Sequence, residues 1–181
     1  LGVMGWADGL IKLGIPYNSK SALALAEKTM KFINDTAREK SVKLAEQKGS
    51  FPNFDGSLWQ KRGYKKFRNA TLTTIAPTGS ISMVANCSYG IEPLFAVAFY
   101  KEVMGGIRLP EINSDLLTAL KTSGADLSNG LVDQIAAQGT VHGIKTVSEA
   151  VKKLFVTAHE LEADDHIKMQ AAFQKHTDNA V

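Results

Sequence analysis

Along the chain, apolar residues recur at spacings of three and four, and these stretches alternate with shorter continuous apolar runs. Val3, Met4, Trp6, Ala7, Leu10, Ile11 and Leu13 predict a short buried helix over residues 2–13, ended by Gly14 and Pro16. Asn18 or Ser19 then caps a long helix that reaches about residue 48 and stops at Gly49. Its predicted core stripe is Leu23, Ala26, Met30, Ile33, Ala37 and Leu44. Glu27–Lys31 and Glu39–Lys43 are predicted as i,i+4 pairs on its wet side.

Residues 51–69 lose this periodicity, and Phe54 and Trp59 are expected to pin the loop to the body. The β-branched run 71–75 predicts a strand, followed by a turn and a short helix to about Ala85. A second buried strand is predicted over residues 94–100, between Pro93 and Gly105-Gly106. Further helices are predicted from Asn113 or Ser114 to about Thr122, from Ser128 or Asn129 to Ala137, and over 147–154. The last starts near Ala163-Asp164-Asp165, whose acids suit a helix N-terminus, and runs to about His176. Two strands among some six helices are few for a complete α/β domain, which points to part of a larger sheet or barrel. The chain starts at Leu1 and stops at Val181 in mid-pattern, so both ends read as cut.

Composition narrows the class. The chain has 181 residues, 44% hydrophobic and 22% charged, which is globular and fits one domain. The net charge of +3 comes from interleaved bases and acids, and this argues against nucleic acid as partner. The densest basic cluster, Lys61 to Arg68, reads as a solvated loop with no aromatic platform beside it. The single cysteine, Cys87, suits a reducing cytoplasm and reads as packing. No apolar run reaches the roughly 18 residues of a membrane span, and no signal peptide is evident.

The candidate chemistry sits in Arg68 to Pro93, RNATLTTIAPTGSISMVANCSYGIEP. Ala76 leads into Pro77, which fixes φ, and Gly79 lets a ligand approach the backbone. Thr78, Ser80 and Ser82 offer hydroxyls, and the N–H groups of Gly79, Ser80 and Ile81 are the free donors of a helix start. An anion cradle and an ordinary capped turn both fit, while the Walker A spacing and lysine are missing. Glu92 reads as a loop acid, because no second titratable group is close in sequence. His159 to His166 is rich in potential ligands without HExxH spacing, and no metal site is expected. His142 and His176 stand alone, and Met169 with Phe173 reads as core.

The segments RNATLTTIAPTGSIS and GIEPLFA resemble the catalytic chain of ribonucleotide reductases, most closely the adenosylcobalamin-dependent class II branch. LGVMGWADGLIKLGIPY, FPNFDGSLW and LFVTAHELEADDHIKMQAAFQKHTDNAV agree in order. The resemblance implies an α/β fold in which residues 1–181 are one partial domain, the later part of a ten-stranded α/β barrel. It implies that Ala76, Pro77, Thr78, Gly79, Ser80, Ile81 and Ser82 form the loop that binds the substrate diphosphate. For the parent enzyme it implies thiyl-radical reduction of ribonucleotides, adenosylcobalamin, the remainder of the reductase chain, a thioredoxin-type reductant and a homo-oligomer. The radical cysteine and the reducing pair are expected upstream of Leu1, so no catalytic residue is expected here and the isolated chain is expected to be inactive. The alternative is a non-catalytic nucleotide-binding or assembly module.

Overall fold

The computed structural model describes residues 1–103, 107–127 and 130–179, with side chains left undescribed over 101–110. Its helices are α1 (Trp6–Lys12), α2 (Lys20–Lys48), α3 (Leu58–Lys61), α4 (Gly79–Ala85), α5 (Ser114–Thr122), α6 (Leu131–Gln138), α7 (Glu149–Leu154) and α8 (Ala163–Gln174). Strands β1 (Ala98–Val103) and β2 (Ile107–Ile112) pair antiparallel, from Ala98 opposite Ile112 to Val103 opposite Ile107. The protein is helix-rich with few strands, as expected for a partial α/β barrel segment. No described helix is long and apolar enough to cross a membrane.

Helix α2 starts where Ser19 Oγ accepts the Ala22 N–H at 3.1 Å and stops at Gly49, whose φ of 76° favours glycine. Its buried seam is Ala22, Ala26, Met30, Asn34, Ala37, Ser41 and Ala45. The predicted Leu23 and Ile33 flank this seam half-buried, and Leu44 is likewise half-buried. Asn34 and Ser41 enter the seam through hydrogen bonds to the 69–73 stretch: Asn34 Nδ2 donates to Thr73 Oγ1 at 2.8 Å, and Ser41 Oγ accepts the Asn69 N–H at 3.0 Å. The wet-side pairing also differs from prediction. Lys31 pairs with Asp35 on its own helix, and Glu27 accepts from Lys175, just past α8, at 2.9 Å.

The main core joins α1, α2 and α5–α8. Leu10, Met30, Leu116, Leu120, Ile135, Phe155, Met169 and Phe173 are all nearly inaccessible. Burial on this scale is the dominant favourable contribution to folding. Trp6 meets Phe173 edge-on at 5.0 Å. A separate cluster forms under the 51–69 loop, where Phe54, Trp59 and Phe67 are buried and the Trp59 and Phe67 rings stack at 4.2 Å. Trp59 Nε1 donates to Ala70 O at 2.7 Å, which ties that loop to the stretch leading into residues 71–75.

Several predicted elements are redrawn. Residues 71–75 form no regular strand among the described residues, and their backbone–backbone bonds go to Leu1 and Asn179. Leu1 N donates to Leu72 O (2.7 Å), Thr74 N–H to Leu1 O (2.8 Å) and Asn179 N–H to Thr73 O (3.1 Å). The strand predicted over 94–100 starts regular pairing only at Ala98, since the Val97 N–H is drawn to Gly139 O at 2.9 Å. Leu94 makes an isolated parallel bridge to Thr157. Strand β2 was not predicted, because Pro110 argues against a strand interior and is tolerated on the edges of a two-stranded ribbon. Asn113 caps α5 through its Oδ1, and Gly130 precedes α6. The predicted cap at Ser128 or Asn129 and the predicted boundary at Gly105-Gly106 lie outside the described residues.

Candidate functional site

The turn at 76–82 is built by strain and hydrogen bonds. Thr78 adopts φ 57°, ψ 26°, a left-handed conformation that side chains rarely hold unaided. Its Oγ1 accepts the Gly90 N–H at 2.7 Å, a bond spanning 12 residues. Gly90 itself has φ +42°, and a Cβ there would fall 2.8 Å from Ala76 O, so only glycine fits this approach. Ser82 is fully buried, its hydroxyl donating to Thr78 O at 2.6 Å, while its N–H makes the first bond of α4, also to Thr78 O, at 2.9 Å. Ser82 therefore braces the turn from inside, and its hydroxyl is not among the outward donors that the sequence suggests.

The other predicted residues face outward. Ala76, Pro77, Gly79, Ser80 and Ile81 are exposed and Thr78 is half-buried. The N–H groups of Gly79, Ser80 and Ile81 precede the first intrahelical bond, which leaves them directed past the end of α4. A Cβ placed on Gly79 would meet nothing within 4 Å. The arrangement offers amides and hydroxyls at an open bend, the chemistry that suits an oxyanion.

Sequence reasoning missed what stands behind the bend. The loop 87–90 rests on the start of α1, with Gly5 N–H donating to Ser88 O (2.9 Å) and Trp6 N–H to Gly90 O (3.3 Å). The Asp8 carboxylate accepts the Ser88 N–H, and Ser88 Oγ accepts the Asp8 N–H at 3.3 Å. These partners lie 80 residues apart, beyond the reach of any local pattern. Tyr17 lies beneath, donating to Ile91 O at 2.7 Å. Burial, with the nearby Glu92 charge, pushes the Tyr17 phenol well above its ordinary range. Glu92 is exposed, as expected of a loop acid.

The remaining sequence candidates take structural places. Cys87 is half-buried against Gly5, and its N–H donates to Ser82 O at 3.0 Å. Met169 and Phe173 are core. His142 Nδ1 lies 2.8 Å from Glu160, and His166 Nε2 lies 3.2 Å from Ala158 O. Among the described residues no group of three His, Cys, Asp or Glu could hold a metal ion. In the basic cluster, Lys61, Arg62, Lys65 and Lys66 are exposed, and Arg68 reaches the carbonyl ends of α2 at Lys48 and Gly49. A cavity of about 500 Å³ beside this cluster is lined by residues that include Arg38, His176 and Asp178; Arg38 pairs with Asp178 at 3.5 Å, while its Nε is buried without a partner among the described residues.

Comparison with known proteins agrees with this architecture. The model of the ribonucleotide reductase barrel domain matches residues 1–68 and 63–181. The chain is 50% identical over 181 residues to a vitamin B12-dependent ribonucleoside-diphosphate reductase of Thermoplasma acidophilum, covering all of this chain and 23% of that protein. It is 40% identical to the protein of the same name from Mycobacterium tuberculosis, covering all of this chain and 26% of the relative. Among solved structures, the class Id ribonucleotide reductase alpha subunit of Actinobacillus ureae superposes with a TM-score of 0.81 at 26% identity, over 98% of this chain and 31% of that one. The chain thus spans about a quarter of the length of the curated relatives it matches. Its sequence, from the first segment through the turn to the last helix, belongs to the ribonucleotide reductase barrel-domain family.

Proposed function

We propose that this chain is the part of a ribonucleotide reductase barrel that grips the substrate's diphosphate, in a parent protein that converts ribonucleoside diphosphates to deoxyribonucleotides by thiyl-radical chemistry. The observation carrying this reading is the open bend at Thr78 to Ile81, with amides and the Ser80 hydroxyl facing outward and no side chain at Gly79 to block approach. Ala76 and Pro77 lead into the grip, and Ser82 holds it from behind. Such a grip binds the remote end of the substrate in ground state and transition state alike, so its loss falls mainly on KM.

Adenosylcobalamin belongs in this proposal to the parent protein, on the names of its relatives. The residues here do not fit that cofactor. The cavity holding His176, about 500 Å³, and the groove between α1, α5 and α7, about 600 Å³, are both far smaller than a corrin with its nucleotide and adenosyl groups. No step is therefore derived through it. Reduction by a thioredoxin-type partner, assembly with the rest of the reductase chain and as a homo-oligomer, a role in DNA replication and a cytoplasmic setting complete the proposal.

The test uses the full-length reductase. Gly79→Leu adds bulk where a Cβ meets only open space, so stability should hold while calorimetric affinity for a nucleoside diphosphate falls by roughly tenfold or more. Unchanged affinity would overturn the assignment. A second reading is a non-catalytic nucleotide-binding or assembly module; within these 181 residues the one cysteine, packed against Gly5, cannot supply both a radical and a dithiol. The 181 residues alone are accordingly expected to form no deoxynucleotide. Product above a no-protein control would refute this.

A further inference from the structure

The bend's shape depends on a segment remote in sequence. Thr78 Oγ1 already accepts the Gly90 N–H, so one of its lone pairs is occupied and its single proton is left to donate. Gly90 stays within reach because the 87–90 loop is clasped to the first turn of α1. Three backbone donors of α1 and its lead-in, Gly5, Trp6 and Asp8, all end on Ser88 or Gly90, and the Asp8 carboxylate returns a charge-assisted bond to the Ser88 N–H. Gly5 permits this closeness with φ 74°, since a Cβ there would already lie 3.2 Å from Cys87 Cβ.

From this geometry we infer that Asp8 is a positioning residue for the oxyanion grip. Its carboxylate fixes Ser88, Ser88 fixes the loop that carries Gly90, and Gly90 holds Thr78 left-handed with its hydroxyl proton available to the ligand. This rests on the diphosphate reading of the bend and adds to it a residue from α1 that touches no substrate. Neutralising Asp8 weakens the Ser88 bond, loosens Gly90 and lets Thr78 relax, so the three amides at the start of α4 lose their fixed orientation.

The experiment uses the full-length reductase with Asp8→Asn and, as a milder change, Ser88→Ala, which keeps the backbone bond to Asp8 and removes only the hydroxyl. For Asp8→Asn, KM for the nucleoside diphosphate and the inhibition constant of inorganic pyrophosphate should rise together by about tenfold, the scale of one charge-assisted hydrogen bond. Inhibition by the nucleoside lacking phosphates should stay unchanged, and Ser88→Ala should give a smaller shift in the same direction. A purely structural role would weaken nucleoside and pyrophosphate alike, and that outcome overturns the proposal. So does an unchanged pyrophosphate constant in both variants while Gly79→Leu weakens it. If Gly79→Leu itself leaves pyrophosphate binding unaltered, the diphosphate reading falls, and the role of Asp8 falls with it.

Discussion

Helices α2 and α4 are held in place by opposite means. Helix α2 has 29 residues, a side-chain cap at Ser19, a glycine stop and a seam of small residues driven into the core. Helix α4 has seven residues, no side-chain cap, and left-handed residues at both ends, Thr78 and Asn86. Its one buried residue is Ser82, while Ile81, Met83 and Val84 are 58%, 67% and 89% exposed. Packing secures α2. Hydrogen bonds secure α4, from Ser82 Oγ, from Gly90 to Thr78, and from Cys87 N–H to Ser82 O. A helix fastened this way leaves Ile81, Met83 and Val84 uncovered by the described residues, and presents its first amides instead of burying them.

Substitutions can break this comparison at known points. The largest effect is expected in the α2 seam. Met30→Ala, at a fully buried site, should lower unfolding free energy by about 2–5 kcal/mol in urea denaturation. Val84→Ala on α4 should change it by no more than about 0.5 kcal/mol. Equal losses would mean that α4 is packed as α2 is. Next comes Gly90→Ala, which forces a Cβ to within 2.8 Å of Ala76 O at φ +42° and should cost about 1–3 kcal/mol. A neutral result would show that the bend does not depend on this approach.

The smallest effect concerns Glu160, another group held by hydrogen bonds. Partial burial opposes its charge, but bonds from Thr140 and from the Thr157 N–H and hydroxyl, with the His142 charge, outweigh that and hold its pKa below the ordinary 4.5. A lowered carboxylate pKa contributes stability above the unfolded value, which is lost as pH falls through the folded one. Glu160→Gln should therefore flatten the stability profile below about pH 4.5. An unchanged acid limb would remove the carboxylate from the account.

What could be read from sequence follows the range of the interaction responsible. The starts of α2 and α5 were legible because their caps, Ser19 and Asn113, act within three residues, and the start of α8 because of its first-turn acids. The Ser148 cap of α7 and the Glu162–Asp165 box of α8 were not read. Of the α2 stripe, Ala26, Met30 and Ala37 are buried and Leu23 and Ile33 pack half-buried on the core, while Asn34 and Ser41 were missed because their burial depends on hydrogen bonds to Thr73 and Asn69, remote in sequence. The run 71–75 was β-branched without having ladder partners. The residues of the bend were legible, since Pro, Thr, Gly and Ser have local meanings in turns. Gly90 and Asp8 were not, because their roles exist only across 12 and 80 residues of chain.

The division of the core into two clusters places one of the chain's two tryptophans in each. Trp59 is ringed by Phe67, Tyr64 and the guanidiniums of Arg38 and Arg62, while Trp6 sits in the main core, its backbone N–H on Gly90 O and its buried indole Nε1 without a hydrogen-bond partner among the described residues. The molecule therefore carries two intrinsic optical probes in unlike surroundings. Replacing either indole with phenylalanine would leave an emission signal that follows one cluster, with the Trp6 signal coming from directly behind the bend.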